Sequence, residues 1–268
     1  MELIRGLHNL RPEHHGCVAT IGNFDGVHLG HQAVIGQLAE KADEMCQPSV
    51  VITFEPQPQE YFVPHNAPPR LTRLREKVHA LRRYAIDRML CLPFNRKLAA
   101  MNYQDFIRQV LVDGLGVKYL VVGDDFRFGQ GREGNFEKLQ QAGAAHGFQV
   151  VNMHTFSIGE ERVSSTRIRN ALTQGNMDMA AQLLGRDYRM SGRVAHGEKL
   201  GRELGYPTAN IHLHRKVSPL HGIYAVEVFG LDVEPIEGVA SIGTRPTVDG
   251  TKTILEVYMF DFNQNIYG

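Results

Sequence analysis

The feature that most constrains the fold is an alternation of short apolar runs with amphipathic segments between Cys17 and Gly185. This alternation is typical of strands joined by crossover helices in a mainly parallel sheet. The strand candidates are the apolar runs at 17–22, 49–54, 87–92, 118–123 and 148–153. The helix candidates are the amphipathic runs at 31–45, 73–84, 103–113, 135–146, 165–173 and 177–184. We therefore predict an α/β domain, residues 1–185, with helices on both faces of its sheet.

The pattern changes after Arg186 to short β-rich pieces separated by glycine and proline. These pieces lie at 188–196, 222–230, 238–243 and 253–262. They predict a second, antiparallel domain, residues 186–268, with the character of a small barrel. The chain stops just after an apolar run, where another strand would be natural, so we expect this barrel to be incomplete at its C-terminus.

Charge and cysteine content exclude several classes of protein. The formal net charge is zero and the sequence pI is about 7.2, so no overall positive field favours nucleic acid or an anionic membrane as partner. Cys17, Cys46 and Cys91 are isolated, which argues against a disulfide framework or a zinc site and favours the cytoplasm. No apolar run approaches the roughly 20 residues that span a bilayer. The oligomeric state stays open between a monomer and weak self-association.

The segment GNFDGVHLGH, residues 22–31, follows the first strand candidate and leads into the first helix candidate. Backbone N–H groups and the helix dipole favour bound phosphate at such a position. Gly22, Gly26 and Gly30 permit tight turns and close backbone approach. His28 and His31 are three residues apart, so they can face one phosphate from a single helical turn. An isolated HxGH pattern would more often be a structural turn.

A second segment suited to phosphate is VSSTRIRNAL, residues 163–172. Ser164 or Ser165, with Thr166, can cap a helix that carries Arg167 and Arg169. Hydroxyl groups, N–H groups at a helix start and guanidinium groups all bind phosphate oxygens. Alone this would be an ordinary capped helix with a basic face, but two such segments in one chain favour a nucleotide site.

Two other nucleotide-binding motifs, GxGxxG and the Walker A loop, give little or no support for a different kind of nucleotide site. Gly129, Gly131 and Gly134 satisfy GxGxxG, the pattern of dinucleotide-dependent oxidoreductases. The true motif begins at the end of the strand in the first βαβ unit, whereas here residues intervene and the strand is the fourth candidate. No Gly-Lys dipeptide occurs in the sequence, which excludes a Walker A loop as the ATP site.

The second domain contains its own candidate site. Pro207 fixes the chain direction in GYPTAN, and Thr208 and Asn210 alternate onto one side, where they offer oxygen ligands to Mg²⁺. Residues 192–205, GRVAHGEKLGRELG, bring backbone N–H groups and Lys199 nearby, which suits a polyphosphate.

Together these segments resemble the bacterial bifunctional riboflavin kinase/FAD synthetases, in the family's order along nearly the whole chain. The matching motifs are GNFDGVHLGH, TFEPQP, GDDFRFGQGREG, VSSTRIR, GRELGYPTAN and LEVYMFDFNQNIYG. The resemblance implies a Rossmann-like nucleotidyltransferase domain followed by a small β-barrel riboflavin kinase domain. The first would transfer AMP from ATP to FMN and release pyrophosphate, and the second would phosphorylate riboflavin with Mg-ATP.

The resemblance also implies roles for particular residues. His28 and His31 would be catalytic in AMP transfer, and Glu256 would be the general base of the kinase. The phosphates of ATP in AMP transfer would be bound by Gly22, Asn23, Phe24, Asp25, Gly26, Ser164, Ser165, Thr166, Arg167 and Arg169. FMN would be bound by Pro56, Pro58, Phe62, Asp125 and Phe128. The kinase ATP would be bound by Gly192, His196, Gly197, Lys199, Gly201 and Pro207, and Mg²⁺ by Thr208 and Asn210.

Family members continue past the final YG with another strand and a helix, so we expect weak or absent kinase turnover from the 268-residue chain. Two alternatives to the bifunctional enzyme remain at this point. One is a flavin-binding or flavin-delivery protein without turnover. The other is a nucleotidyltransferase with another acceptor, such as a pantetheine phosphate or nicotinamide mononucleotide.

Overall fold

The computed structural model describes residues 1–123, 125–153, 156–159, 161–196, 206–215, 217–247 and 250–268. The chain forms two compact units. The first comprises Met1–Pro68, Leu74–Arg167 and Leu183–Gly185. The second comprises Pro69–Arg73, Ile168–Gln182 and Arg186–Gly268.

The first unit is built on a six-stranded parallel sheet. Its strands are β1 (Glu2–Arg5), β2 (Cys17–Ile21), β3 (Ser49–Glu55), β4 (Arg88–Pro93), β5 (Val117–Gly123) and β6 (Gln149–Met153). Their order across the sheet is β1-β4-β3-β2-β5-β6, which places β2 between β3 and β5. The predicted α/β fold is confirmed, and all five strand candidates are strands.

The sequence pattern did not reveal β1. It is an edge strand of four residues in which Ile4 alone is buried, so it lacks the continuous apolar run of the central strands. The central strands differ because both of their faces are covered. In β3, Val51 packs into one hydrophobic cluster while Val50 and Ile52 pack into another, and all three are 0% exposed.

The helices are α1 (Leu29–Glu44), α2 (Pro58–Phe62), α3 (Leu74–Leu81), α4 (Arg96–Ala99), α5 (Tyr103–Phe106), α6 (Phe136–His146), α7 (Ser165–Thr173) and α8 (Met177–Leu184). α1 begins two residues earlier than predicted, because His28 caps it. The candidate at 103–113 consists of α5 followed by a π-helical segment, Ile107–Val112. α2 and α4 were missed because segments of four or five residues carry almost no helical periodicity.

A two-stranded hairpin, β7 (Ser157–Ile158) with β8 (Glu161–Arg162), precedes α7. The second unit contains an antiparallel sheet, as predicted. Its strands are β9 (Val194–Ala195), β10 (Thr208–His212), β11 (Gly222–Val228), β12 (Ile236–Thr247) and β13 (Gly250–Met259). Their order is β11-β12-β13-β10-β9. Within the described ranges, none of the helices has the length and apolar character needed to cross a bilayer.

The buried faces of the parallel sheet predict a stability difference between two identical substitutions. Val51→Ala removes two buried methyl groups from a side chain that is 0% exposed, whereas Val233→Ala trims one that is 95% exposed. Val51→Ala loses buried apolar surface and leaves a cavity in the core. Together these effects should lower the free energy of unfolding of the first unit by about 2 to 3 kcal/mol. Val233→Ala should change stability by less than about 0.5 kcal/mol. Urea unfolding followed by circular dichroism measures both, and equal effects would contradict the described core.

Candidate active site

The segment Gly22–His28, here called the histidine loop, connects the buried strand β2 to helix α1. β2 lies inside the parallel sheet, so the loop emerges at the carboxyl end of an internal strand. In open α/β sheets ligands bind at that edge, and the start of a helix favours anions there. The fold therefore puts both predicted histidines where a phosphate group is best received.

His28 and His31 lie together in the first turn of α1. His28 is the N-cap residue, and its Nδ1 accepts a hydrogen bond from the backbone N–H of His31 at 3.3 Å. The two imidazole rings stack with centroids 3.6 Å apart and an angle of 17° between their planes. The ring of Phe24 packs against the ring of His31, with the two centroids 5.1 Å apart. The pair is thus one rigid element rather than two independent side chains.

The capping bond determines which nitrogen of His28 carries a proton. An imidazole nitrogen that accepts a hydrogen bond has a free lone pair, so in the neutral ring the proton resides on the other nitrogen. Nδ1 of His28 is the acceptor, and Nε2 is therefore the N–H donor. A donor held in this way can bind a phosphate oxygen without any change in the protonation of the ring.

His31 is held in its neutral form. Burial is the largest cause that lowers the pKa of His31 well below its usual value, and the positive or polar groups of His28, Lys77 and Arg162 lower that pKa further. Its Nδ1 is buried and has no hydrogen-bond partner in the described part of the chain. Two neutral, stacked imidazoles can therefore act on a bound anion as hydrogen-bond donors.

Side chains from three different segments hold alternate carbonyl groups of the histidine loop. Lys77 Nζ donates to the Asn23 carbonyl at 2.5 Å. Ser165 Oγ donates to the Asp25 carbonyl at 2.9 Å. Gln32 Nε2 donates to the Val27 carbonyl at 2.9 Å and also to the Leu184 carbonyl at 2.8 Å.

The backbone of the loop has an uncommon conformation that these contacts must hold. Phe24 and Val27 have φ values of 47° and 44°, in the left-handed region that costs a non-glycine residue energy. Gly26 has a φ of 90°, a conformation that glycine adopts readily, which explains the glycine at this position. Gly30 allows close packing instead, because a Cβ at this position would lie 3.2 Å from the His28 ring.

The residues of the segment VSSTRIR have different contacts in the structure. Ser164 caps α7 by accepting a hydrogen bond from the Arg167 N–H at 3.3 Å, while Ser165 reaches the histidine loop. Arg167 forms an ion pair with Glu161 at 2.9 Å, so a phosphate would compete with that carboxylate. Thr166 is exposed at the start of the helix.

Arg169 was predicted to bind phosphate, and its Nε donates to the Pro69 carbonyl at 2.7 Å. Both of these residues belong to the second unit, whereas Arg167 belongs to the first. The two arginines of the motif thus hold different partners in the described structure.

Asp125, one of the predicted flavin-binding residues, forms an ion pair with Arg162 of the β7–β8 hairpin at 2.9 Å. Arg162 was not among the predicted site residues, although it influences the pKa of His31. Its position directly before VSSTRIR is the signal in the sequence that could have suggested it.

The other predicted flavin-binding residues have different environments. Pro58 begins α2, and Phe62 at the end of that helix is 62% exposed and packs edge-on against Phe94. Pro56 follows a cis peptide bond in the turn before α2. Phe128 is 7% exposed and belongs to the hydrophobic core, so it packs with protein in the described structure.

In the second unit the antiparallel register brings three predicted residues to one face of the sheet. Asn210 on β10 lies directly opposite Glu256 on β13. Thr208 is two residues before Asn210 and therefore shares its face, while Ala209 between them is buried on the other. Side chains that oppose each other in this way have Cβ atoms about 4.5 to 5.5 Å apart. A hydroxyl, an amide and a carboxylate thus converge.

The remaining predicted kinase residues are only partly described. His196 packs its ring against Tyr267 with centroids 4.1 Å apart, and Pro207 is exposed just before β10. Gly192 leaves no room for a side chain, because a Cβ would meet Ile211 and the His212 carbonyl. Gly197, Lys199 and Gly201 lie outside the described residues.

Lys77 and Gln32 shape the histidine loop and were not among the residues predicted from the sequence. Lys77 shares the helical stripe of Leu74 and Leu81, at spacings of three and four residues, and a lysine on an apolar stripe is the signal that could have identified it. Gln32, one turn into α1, carries no comparable signal.

Comparison with known proteins gives two family matches in sequence order. A family model described as FAD synthetase matches residues 10–167. A family model described as riboflavin kinase matches residues 184–268.

Several proteins are similar to the chain over its full length. The bifunctional riboflavin kinase/FMN adenylyltransferase of Escherichia coli (strain K12) is 52% identical, and the alignment covers 100% of this chain and 86% of that protein. The protein of the same name from Pseudomonas fluorescens is 53% identical, with coverage of 100% and 86%. A crystal structure described as a macrolide-efflux protein from Streptococcus pneumoniae superposes with a TM-score of 0.84 at 30% identity, covering 100% of this chain and 88% of that one.

The lowered pKa of His31 predicts a pH dependence of stability. Below about pH 6.5 the unfolded chain binds a proton at this histidine and the folded protein does not, so folding loses stability as the pH falls. His31→Gln should remove this term and so reduce the loss of stability between pH 7 and pH 5.5. Urea unfolding at both pH values measures it. His146→Gln, at an exposed histidine, is the matched control and should keep the wild-type difference; a wild-type difference in His31→Gln would disprove the neutral state of His31.

Proposed function

This chain belongs to the family of bifunctional riboflavin kinase/FMN adenylyltransferases, and we propose that its histidine loop and Ser164–Arg167 form the site of AMP transfer. The protein is an enzyme of flavin cofactor synthesis with an N-terminal FAD synthetase domain and a C-terminal riboflavin kinase domain. Its substrates are riboflavin, FMN and ATP. The observation that carries the proposal is the stacked pair His28–His31 at the start of α1.

The chemistry of AMP transfer requires placement of charge more than covalent help. A phosphate oxygen of FMN attacks the α-phosphorus of ATP, a P–O bond forms, and the bond to the departing pyrophosphate breaks. The attacking oxygen is already ionised, so no general base is needed. The protein must hold the reacting groups in line and stabilise the negative charge that develops on the phosphate oxygens.

The first unit offers groups suited to both tasks. His28 Nε2–H is a fixed donor, since the capping bond holds the other nitrogen as an acceptor. Ser165 ties the start of α7 to the loop through the Asp25 carbonyl. We propose that the triphosphate occupies the space between these two helix starts and displaces Glu161 from Arg167. Asp125 and Phe62 are the candidates for contact with FMN.

Phosphorylation of riboflavin needs a base, because the attacking group is an alcohol. We propose that Glu256 takes the proton from the ribityl hydroxyl. At the same time the hydroxyl oxygen attacks the γ-phosphorus of ATP, and ADP leaves. Asn210 lies directly across the strand pair from Glu256, so the base and a polar oxygen lie on one face.

The residues on this face also fit Mg²⁺. The Thr208 hydroxyl and the Asn210 amide are hard oxygen ligands, and Mg²⁺ is commonly bound through few protein groups together with substrate phosphates. The described ranges contain no group of three or more His, Cys, Asp or Glu residues placed to hold a metal ion, and a Mg²⁺ site of this kind does not require one. When bound, the ion would neutralise charge on the ATP phosphates.

We further propose domain limits of 1–185 and 186–268. The cysteines Cys17, Cys46 and Cys91 are free thiols, which supports a reducing, cytoplasmic location. The zero net charge supports small molecules, rather than nucleic acid or membrane, as the partners, and a monomer or weakly associating protein as the assembly.

Removal of the His28 ring should abolish most FAD formation. His28→Ser keeps a preferred N-cap residue, so α1 retains its cap while the phosphate donor is lost. The barrier should rise by about 2 to 4 kcal/mol, as for loss of an oxyanion-stabilising donor. The assay is chromatography of flavins after incubation with FMN and Mg-ATP. His146→Ser serves as the matched control, and undiminished FAD synthesis by His28→Ser would refute the assignment.

Substitution of Glu256 should separate the two activities. Glu256→Gln keeps the shape of the side chain but removes the base, so FMN formation from riboflavin should fall by about 100- to 10,000-fold. FAD formation from supplied FMN should be unchanged. Glu227→Gln, at an exposed glutamate on β11, is the matched control. If FMN formation survives in Glu256→Gln, this residue is not the base.

A further inference from the structure

Lys77 is the largest of the fully buried side chains in the part of the chain that the structure describes, and it is a charged one. It lies on α3 and is 1% exposed, although lysine is almost never buried without compensating partners. An ammonium group removed from water must be stabilised by hydrogen bonds or opposite charge. A cation retained in such a position therefore calls for a reason beyond packing, since an apolar residue would fill the same stripe at lower cost.

Two partners of Lys77 lie in the histidine loop and in the sheet beneath it. Its Nζ donates to the Asn23 carbonyl at 2.5 Å and to Thr53 Oγ1 at 3.4 Å. Thr53 Oγ1 in turn donates to the same Asn23 carbonyl at 3.4 Å. Asn23 precedes Phe24, whose left-handed backbone conformation must be maintained for the loop to keep its shape.

From this geometry we infer that Lys77 is a positioning residue for AMP transfer, which holds the histidine loop through the Asn23 carbonyl and supplies a fixed positive charge behind it. This inference rests on the proposed role of the histidine loop. Lys77 does not contact the nucleotide; it acts through the loop backbone and through His31. The ammonium group is already in place before ATP binds, so its field requires no reorganisation during the reaction.

The charge acts on His31 as well as on the loop. The groups that bear on His31 are His28, stacked on it, Lys77 of α3 and Arg162 of β8, and each lowers the pKa of His31 in addition to the effect of burial. Loss of the ammonium should therefore raise the pKa of His31 toward its usual value. A lysine buried in its neutral form, contributing only its apolar stem to the stripe, would have no such effect.

Two substitutions separate the tether from the charge. Lys77→Met keeps the length and the apolar stem but removes both the donor and the charge. Lys77→Gln removes the charge and keeps an N–H donor for the Asn23 carbonyl. Lys41→Met, on the exposed side of α1, is the matched control. His28→Ser is included so that a failure of the histidine loop as the site is recognised separately.

The measurements are kcat and KM for FAD formation from FMN and Mg-ATP, and the titration of His31 by NMR of the full chain with labelled histidine. For Lys77→Met we expect kcat to fall about 100-fold, the effect of a misplaced reacting group, while KM for FMN changes by less than about threefold. Lys77→Gln should recover part of kcat, and the pKa of His31 should rise in both variants.

Several results would overturn the inference. One is a kcat within about threefold of wild type in Lys77→Met while His28→Ser is inactive. Another is an unchanged titration of His31 in Lys77→Gln, which decides the question even if Lys77→Met fails to fold. If His28→Ser is fully active, the site itself is wrong and the inference falls with it.

Discussion

The first half of this enzyme depends on how the carbonyl groups of the histidine loop are held. Lys77, Gln32 and Ser165 come from α3, α1 and α7, and each donates to one of three alternate carbonyls in the loop. Because the loop contains left-handed residues that are not glycine, it would relax without such support. The support is what allows the first turn of α1 to present two stacked, neutral imidazoles at a defined position.

Much of this site could be predicted from sequence, but the reason for its shape could not. The position of GNFDGVHLGH between an apolar run and an amphipathic helix, together with the second segment VSSTRIR, predicted a phosphate site, because helix starts after internal strands bind anions for general reasons. The left-handed conformations of Phe24 and Val27 run against residue propensity, so only tertiary structure reveals them. The tether from Lys77 joins segments far apart in sequence, and no local pattern encodes that contact.

In the second unit, too, one part of the site could be predicted from the sequence and another part could not. Alternation along a strand predicted that Thr208 and Asn210 share a face, since that follows from the two-residue period alone. The pairing of Asn210 with Glu256 depends on the register between β10 and β13, which local sequence does not specify. The flavin acceptor was inferred from resemblance to a family, and the family matches confirm it over a flavin-delivery protein or another phosphate acceptor.

In the proposed mechanism the triphosphate of ATP binds against the rings of His28 and His31. The most direct test is NMR of the histidine side chains during titration with Mg²⁺ and α,β-methylene-ATP, an analogue that cannot transfer AMP. We expect the signals of His28 and His31 to shift together on saturation, with the proton of His28 still on Nε2, while His146 stays unchanged. If the analogue inhibits FAD formation and neither ring responds, AMP transfer takes place elsewhere and the proposed site is wrong.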